Sequence, residues 1–363
     1  MVSSIQNNIT FFPFVTAFIT TLLLTPFSLL FIKKMGLFDD PKTRNHPGII
    51  HTKPIPRGGG IPLFFGILIA SIIFLPITKI TIPIFIASFI ALVIGILDDK
   101  FDISPYIRFS INILCALIVV GFGVSIPFIT NPIGGILHLD AIGFPLNFLG
   151  INFSILLSDI VAIIWIVWVM NMLNWSKGVD GQMPGIVAIS AIVIGILSMR
   201  FVQLDANSVI ATKLSFIIAG SALGFLIFNF YPAKIFPGYG ATSVYLLLTV
   251  VSILSTAKLA TAILVMGVPM VDGIFTIGRR ILSGHSPFWH DNKHLHHILL
   301  KLGFGQRRIA LFYWSISAIL GSISLTLESK GKIFAIIMLV ILLGGSLLFL
   351  HLILKHKYNE TGV

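Results

Sequence analysis

Eleven long apolar blocks dominate this sequence, and most are near the roughly 20 residues that an α-helix needs to cross a bilayer. Hydrophobic residues make up 56% of the chain and charged residues only 10%, whereas soluble domains carry about a quarter charged residues. The sequence therefore predicts an all-α polytopic membrane protein with about eleven transmembrane helices. Ten or twelve also fit, because two blocks are short. The blocks are 11–32, 58–77, 80–97, 107–126, 155–173, 183–199, 211–230, 241–256, 258–278, 308–326 and 332–353.

Positive charge is distributed unevenly between the loops. If the loops alternate across the membrane, one set holds 18 of the 24 Lys and Arg residues and the opposite set holds six. Lys and Arg accumulate in cytoplasmic loops, so we place the first set and the C-terminus in the cytoplasm and the N-terminus outside. This topology explains most of the formal charge of +11 and favours a lipid bilayer over nucleic acid as partner. A multi-pass location in a prokaryotic inner membrane is expected.

No linker divides the chain, so we predict one domain over residues 1–363. The first apolar block is too long for a cleavable signal peptide and lacks a basic start. The external loop 127–154 is predicted to form a hairpin or a re-entrant segment, and the lone Cys115 to pack inside a span. Five cytoplasmic loops hold most of the Asp and His residues near a membrane boundary. We expect these loops to converge in one polar bowl at the membrane surface.

Three acids follow the third block directly. Asp98 and Asp102 are spaced i and i+4 and share a helical face, with Asp99 beside it. Adjacent carboxylates repel unless they share a cation or a proton, which suits Mg²⁺ or a general base. A solvated helix end is the alternative interpretation.

Polar residues also end the fifth block. Asn171 and Asn174 share a helical face and run into Asp180, which glycines flank. Asn at the edge of a hydrocarbon segment is costly unless it is paired. The pattern favours a ligand-binding turn over hydrogen bonds between helices.

The first cytoplasmic loop ends in Arg57, Gly58, Gly59 and Gly60 at the start of a span. Glycines let main-chain N–H groups approach an anion at a helix N-terminus, so a phosphate cradle is one interpretation. The other explanation for the basic residues is that Lys and Arg simply keep this loop in the cytoplasm. Upstream residues that could join the cradle are Lys42, Arg44, His46, His51 and Lys53.

His294, His296 and His297 form a cluster in the last large cytoplasmic loop, and His294 and His297 share a helical face. Three His residues favour ligand binding or catalysis over a structural role. The His-Glu-x-x-His signature of zinc proteases is absent from the sequence. Asp272 is predicted to lie inside a span, where an acid is a functional candidate.

The order and spacing of the five loops resemble the polyprenyl-phosphate N-acetylhexosamine-1-phosphate transferases, the MraY/WecA-like membrane family. The resemblance extends from about residue 35 to residue 305. It implies transfer of a sugar 1-phosphate from a UDP-sugar to undecaprenyl phosphate, with release of UMP and a need for Mg²⁺. Dimers occur in this family, so a homodimer is among the expectations.

The resemblance assigns roles to residues. The acid pair of the family falls on Asp98 and Asp99, which would act as acceptor base or as metal ligands with Asp180. Lys177 joins them in the predicted catalytic set. The residues expected to bind substrate are Arg57, Gly58, Gly59, Asn171, Asn174, Lys234, Tyr239, His294, His296 and His297.

Two positions depart from the family. Lys177 takes the place of the first Asp in the usual Asp-Gly-x-Asp-Gly motif. Tyr239 takes the place of the Asp in Phe-Met-Gly-Asp-x-Gly-Ser, the expected principal Mg²⁺ ligand, and a tyrosine is a poor metal ligand at neutral pH. Together the changes move the local charge by about three units.

Three hypotheses follow. The first is an active transferase that binds metal through Asp98, Asp99 and Asp180. The second is an active transferase in which the Lys177 ammonium replaces Mg²⁺. The third is a silent homologue that binds polyprenyl phosphate or a nucleotide. A transporter is a further alternative, but transporters place their polar groups near the bilayer midplane, in paired repeats, and neither feature is visible here.

Overall fold

The computed structural model describes residues 8–42, 51–131, 134–148, 151–203, 205–255, 259–289 and 291–361. Helices dominate this part of the chain. In order they are α1 Phe11–Lys34, α2 Gly60–Phe74, α3 Thr81–Phe101, α4 Pro105–Gly121, α5 Leu157–Trp175, α6 Gln182–Met199, α7 Ala206–Asn229, α8 Thr242–Leu254, α9 Leu259–Val265, α10 Gly267–Leu282, α11 Leu295–Lys301, α12 Gln306–Thr326 and α13 Ser329–Thr361.

The helices have the length and polarity of membrane spans. Among the described residues seven helices are long and apolar enough to cross a bilayer, and a bent pair of helices would make an eighth. Three shorter apolar helices complete the bundle. The protein is therefore a helical, multi-pass membrane protein, as the sequence predicted. The finer count of eleven spans stays a prediction.

The predicted span 258–278 is not one continuous helix, because α9 and α10 divide it and meet at 83°. Pro269 lies in the first turn of α10. It has no N–H to donate to the carbonyl four residues earlier, and its ring crowds that carbonyl. A straight helix through this point would leave a main-chain acceptor without its partner.

In the described ranges, three antiparallel strand pairs connect the helices. β1 (Phe38–Asp39) pairs with β2 (Ile55–Pro56) before α2. At the opposite end, β3 (Phe128–Thr130) pairs with β4 (Ile136–His138), and β5 (Gly143–Phe148) pairs with β6 (Ile151–Leu156). The predicted hairpin in the loop 127–154 is thus confirmed, and Cys115 is buried in α4 as expected.

Helix α8 is the centre of the bundle, because every one of its residues is buried and α3, α5 and α7 pack around it. Side-chain hydrogen bonds fix its position: Ser88 Oγ donates to the Ser243 carbonyl at 2.8 Å, and Trp165 Nε1 donates to Ser252 Oγ at 3.0 Å. Such bonds hold helices together where neighbouring lipid offers no hydrophobic driving force.

A short 3₁₀ turn, Tyr239–Ala241, leads into α8. Its Gly240 contacts Gly60 of α2 and Gly95 of α3 so closely that a Cβ on either partner would overlap the main chain of the turn. Three glycines therefore allow this turn to enter between α2 and α3. Its entry brings Tyr239 against the end of α3, where Asp98 and Asp99 lie.

The close approach can be tested with Gly95→Ala, which adds a methyl group against main-chain atoms that cannot rotate away. We expect a loss of about 1–3 kcal/mol in unfolding free energy, the usual cost of overpacking, measured as a lower melting temperature in detergent. Gly121→Ala is the matched control, since a Cβ there meets open space. Equal melting temperatures for the two variants would contradict this packing.

Candidate active site

A polar cavity of about 200 Å³ lies at the end of the bundle where α3, α5 and α10 end. Five segments of the chain line it, which confirms the prediction that five polar loops converge at one surface. The lining residues fall within 39–57, 102–108, 171–178, 236–239 and 280–297.

Asp98 and Asp99 lie in the last turn of α3, and neither carboxylate is exposed. Arg57 reaches both: its Nε is 2.6 Å from Asp99 Oδ1 and its Nη2 is 3.7 Å from Asp98 Oδ2. Burial alone would lower the pKa of Arg57, but the carboxylates around it raise the pKa above its ordinary value. The main chain of Arg57 is bridged to Phe236, which fixes the guanidinium at this position.

Arg108 is the second cation of the cluster, and the sequence analysis missed it. Its Nη1 donates to both oxygens of Asp98 at 3.2 Å. The chain turns back at Asp102, which has a left-handed conformation, and α4 then begins at Pro105. This reversal brings Arg108, ten positions after Asp98, back to the Asp98 carboxylate. A basic residue ten positions after the acid, just beyond a proline that starts a helix, could have predicted this pair from the sequence.

Gly238 and Tyr239 cover Asp99 from the other side. The Tyr239 N–H donates to Asp99 Oδ1 at 2.8 Å. Gly238 has φ +69°, and a Cβ there would overlap Asp99 Oδ2, so both the conformation and the contact require glycine. The Tyr239 hydroxyl accepts a hydrogen bond from Asn112 Nδ2 at 3.2 Å. Tyr239 therefore presents the face of its ring, and not its oxygen, to the charged groups.

Lys177 occupies the cavity wall beside this ring. Its Nζ donates to the Gly238 carbonyl at 2.8 Å and lies 5.5 Å from the Tyr239 ring centroid. The Arg108 guanidinium lies 5.0 Å from the same ring, so two cations share one aromatic residue. Burial, with the nearby Arg57 charge, lowers the pKa of Lys177 to about 7.

Asp180 does not join the other predicted metal ligands. Its Oδ1 is 2.8 Å from His51 Nε2, and its Oδ2 accepts from the Ala233 N–H at 2.9 Å. Its own N–H donates to Gln306 Oε1 at 3.2 Å. Asp180 is thus a buried anchor between loops. The prediction of a catalytic or metal-binding role finds no support in this geometry, because both oxygens already have partners.

Asn171 and Asn174 both line the cavity, as predicted. Asn171 Nδ2 donates to the Val167 carbonyl in its own helix at 2.8 Å. Asn174 Oδ1 is buried and has no hydrogen-bond partner among the described residues. A buried acceptor of this kind costs free energy unless a ligand or water satisfies it, so Asn174 is the stronger candidate for ligand contact.

The predicted His cluster is assembled at the cavity. Asp272 holds it, since its Oδ2 is 2.9 Å from His294 Nδ1 and its Oδ1 accepts from the Leu295 N–H at 2.9 Å. Asp272 therefore positions the start of α11. Burial lowers the pKa of His297 to about 4 and that of His296 well below its ordinary value. Both rings are neutral at pH 7 and can donate one N–H to a ligand.

The glycine cradle is wrong, because its N–H groups are already used. Gly58 and Gly59 donate to the Phe236 carbonyl at 3.3 and 3.0 Å, and Gly60 donates to the Pro237 carbonyl. Lys234, predicted to bind substrate, is exposed and does not line the cavity. Lys42 and Lys53 are likewise exposed and outside it, while His51 does line it. Arg44 and His46 lie outside the described residues.

The expected Mg²⁺ does not fit these residues. Within the described part of the chain, no three His, Cys, Asp or Glu residues form a group that could hold a metal ion. Asp98 and Asp99 are paired with arginines, and Asp180 faces His51. The three carboxylates of the predicted metal site therefore do not point at a common centre.

Aromatic and charged contacts fix the loop after α10 over the cavity. Phe288 packs against Tyr106 and Phe109 of α4, with ring centroids 5.3 and 5.1 Å away. Asp291 binds Arg279 and Arg280, whose guanidinium groups lower its pKa against the opposing effect of burial. No motif in the sequence predicted these contacts.

The bundle and its cavity define a class: a multi-pass membrane protein whose polar site is rich in Arg, Lys and His. The model of glycosyl transferase family 4 matches residues 81–256. The chain is 31% identical over 346 residues to a probable undecaprenyl-phosphate N-acetylglucosaminyl 1-phosphate transferase of Bacillus subtilis, covering 90% of this chain and 88% of the relative. The chain belongs to this family, and the resemblance stated from its motifs is confirmed.

Other relatives extend the likeness. The undecaprenyl-phosphate alpha-N-acetylglucosaminyl 1-phosphate transferase of Haemophilus influenzae is 29% identical over 330 residues, 87% of this chain and 85% of its own length. The decaprenyl-phosphate N-acetylglucosaminephosphotransferase of Mycobacterium leprae is 29% identical over 297 residues, 73% of this chain and 71% of its own length. Nearly the whole bundle therefore has counterparts in transferases of this type.

A double-mutant cycle tests whether the buried ion pair holds the site together. Arg57→Gln leaves Asp99 buried without its cation, and we expect a loss of about 3–5 kcal/mol in unfolding free energy. Adding Asp99→Asn removes the uncompensated charge and is expected to recover most of that loss. The measurement is chemical unfolding in detergent. A double variant as unstable as Arg57→Gln alone would show that the pair is not the cause.

Proposed function

We propose that the protein transfers an N-acetylhexosamine 1-phosphate from a UDP-sugar to undecaprenyl phosphate and releases UMP. The observation that carries this proposal is the polar cavity at one end of the bundle, lined by Arg, Lys and His side chains, within a chain whose match to a transferase of this type covers 90% of its length. A cavity at the membrane boundary suits one water-soluble reactant and one that the bilayer presents.

The reaction exchanges one phosphoanhydride bond for another. An oxygen of the acceptor phosphate attacks the sugar-bound phosphorus, the bond to the uridylate phosphate breaks, and UMP leaves with the bonding electrons. Because the second pKa of a phosphate monoester is roughly 6, the attacking oxygen is already unprotonated near pH 7. The reaction therefore needs positioning and charge neutralisation more than a base.

The residues of the cavity suit those two tasks. Arg57, Arg108 and Lys177 supply positive charge where negative charge gathers on the phosphates. His296 and His297, which also line the cavity, donate neutral N–H groups. Asp98 and Asp99 hold the arginines in place, a positioning role that replaces the acceptor base expected from the sequence.

The silent homologue is the second candidate, and Tyr239 is the observation that favours it. The family's expected metal ligand is replaced by a ring whose hydroxyl is turned towards Asn112. In that case the cavity would bind a nucleotide or polyprenyl phosphate without turnover. Transport is less consistent with this site, because its polar groups collect at one end of the bundle.

Transfer can be measured with purified protein, radiolabelled UDP-N-acetylglucosamine and undecaprenyl phosphate. We expect labelled lipid and UMP in equal amounts. His297→Gln, in the cavity, should lower kcat/KM for the donor by roughly 10- to 100-fold, the cost of one hydrogen bond to a charged group. His138→Gln, in the hairpin at the opposite end, is the matched control. Donor binding without any product would favour the silent homologue.

We also propose that the cavity faces the cytoplasm of a prokaryotic inner membrane, with the N-terminus outside and eleven spans. The support is the excess of Lys and Arg in the loops of that end. In a Cys115→Ala background, Ser283→Cys and Asp140→Cys place single exposed thiols at opposite ends. In intact cells a membrane-impermeant maleimide should label only Asp140→Cys. Labelling of Ser283→Cys alone would show that the protein has the opposite orientation in the membrane.

A further inference from the structure

The charges around the cavity are arranged in two layers. The Lys and Arg side chains that line it are Arg57, Arg108, Lys177 and Arg280. Three acids, Asp39, Asp102 and Asp291, also line it, and each interacts with an arginine. Asp98 and Asp99 are absent from the wall and are buried behind the arginines. A ligand that enters therefore meets cations and acids that already face arginines, which is unlike a site built to hold a divalent cation.

The oxygens of these two carboxylates are either occupied or enclosed. Asp98 accepts from Arg108 through both oxygens and has Arg57 Nη2 within 3.7 Å. Asp99 Oδ1 is taken by Arg57 Nε and by the Tyr239 N–H. Within the part of the chain that the structure describes, Asp99 Oδ2 is buried without a hydrogen-bond partner, but Gly238 lies directly against it. Mg²⁺ demands near-octahedral oxygen ligands and keeps several waters, and this enclosed oxygen cannot provide that shell.

We propose that this site binds the diphosphate of a sugar nucleotide without a divalent cation, and that Lys177 held over Tyr239 supplies the charge a metal would bring. The inference rests on the proposed function for the identity of the ligand. It deepens that function by specifying how the diphosphate is neutralised, and it selects the second of the three hypotheses drawn from the sequence.

Lys177 is prepared for such a ligand. In the described part of the chain its Nζ makes one hydrogen bond, to the Gly238 carbonyl, and an ammonium has three hydrogens to donate. Two therefore remain for phosphate oxygens. Its lowered pKa, caused by burial and by Arg57, means that a bound anion would stabilise the charged form.

Tyr239, the second departure from the family motif, holds Lys177 in place. Lys177 Nζ and the Arg108 guanidinium lie 5.5 and 5.0 Å from its ring centroid, within the range of cation–π attraction. An aromatic face can hold two cations near each other without adding a negative charge that would compete with the ligand. Lys177 and Tyr239 thus act as one unit, and replacing either alone would leave the unit incomplete.

The test measures binding of UDP-N-acetylglucosamine to the purified full chain in detergent by calorimetry. In EDTA we expect saturable binding, with an affinity that changes less than twofold when Mg²⁺ replaces EDTA. Lys177→Met should weaken binding at least tenfold. Lys234→Met removes the same charge from an exposed position outside the cavity and should leave binding unchanged. A wild-type protein that binds only with Mg²⁺, or under neither condition, overturns the inference.

A second experiment measures Mn²⁺ binding by electron paramagnetic resonance in the absence of nucleotide. We expect no stoichiometric site in the wild type. Lys177→Asp combined with Tyr239→Asp should gain one Mn²⁺ per chain and should need it for nucleotide binding. A Mn²⁺ site of that stoichiometry in the wild type also overturns the inference.

The transfer assay separates this inference from the proposed function. Nucleotide binding in EDTA with no UMP release would refute the transferase and leave the metal-free site standing. UMP release that EDTA abolishes and Mg²⁺ restores would support the transferase and refute the metal-free site. UMP release that persists in EDTA supports both.

Discussion

The arrangement of this site depends on two adjacent carboxylates buried at the end of a membrane helix. Moving a carboxylate out of water costs several kcal/mol even after the protein relaxes, so Asp98 and Asp99 demand cations within contact distance. Arg57, just before α2, and Arg108, in the first turn of α4, supply these cations. Because each arginine must reach a fixed point, the segments that carry them are fixed as well. The site is therefore organised from its anions outward.

Other acids at this end of the bundle follow the same logic. Asp180 joins His51 to the main chain near Ala233, Asp272 orients His294, and Asp291 holds the arginines of α10. In each case the carboxylate joins two segments of the chain and leaves a basic or imidazole group beside the cavity. These acids are thus mainly structural, and the groups left to meet a ligand are mainly cations and imidazoles. This division suits anionic ligands and opposes metal ions.

Hydropathy predicted much of this structure, because spans and their boundaries depend on short stretches of sequence. The helices, the hairpins of the loop 127–154 and the convergence of five loops were all readable in this way. The partner of each buried acid could not be predicted, because these ion pairs and hydrogen bonds join residues that are far apart in the sequence. Arg57 and Asp99 are 42 positions apart, and Asp180 binds His51 across 129 positions. The same limit explains the error over Gly58 and Gly59, whose N–H groups are used by Phe236.

The two departures from the family motif gain a physical meaning only in the structure. Taken singly, a lysine in place of an aspartate adds a cation beside Arg57, and a tyrosine in place of an aspartate removes a ligand. Taken together, the ring of Tyr239 lies beside both Lys177 and Arg108, while its hydroxyl is directed to Asn112. The Tyr239 N–H donates to Asp99, and because this donor belongs to the main chain, the contact does not depend on the side chain at position 239. The change of about three charge units therefore falls on side chains, whereas the carboxylate that fixes this turn is held through the main chain.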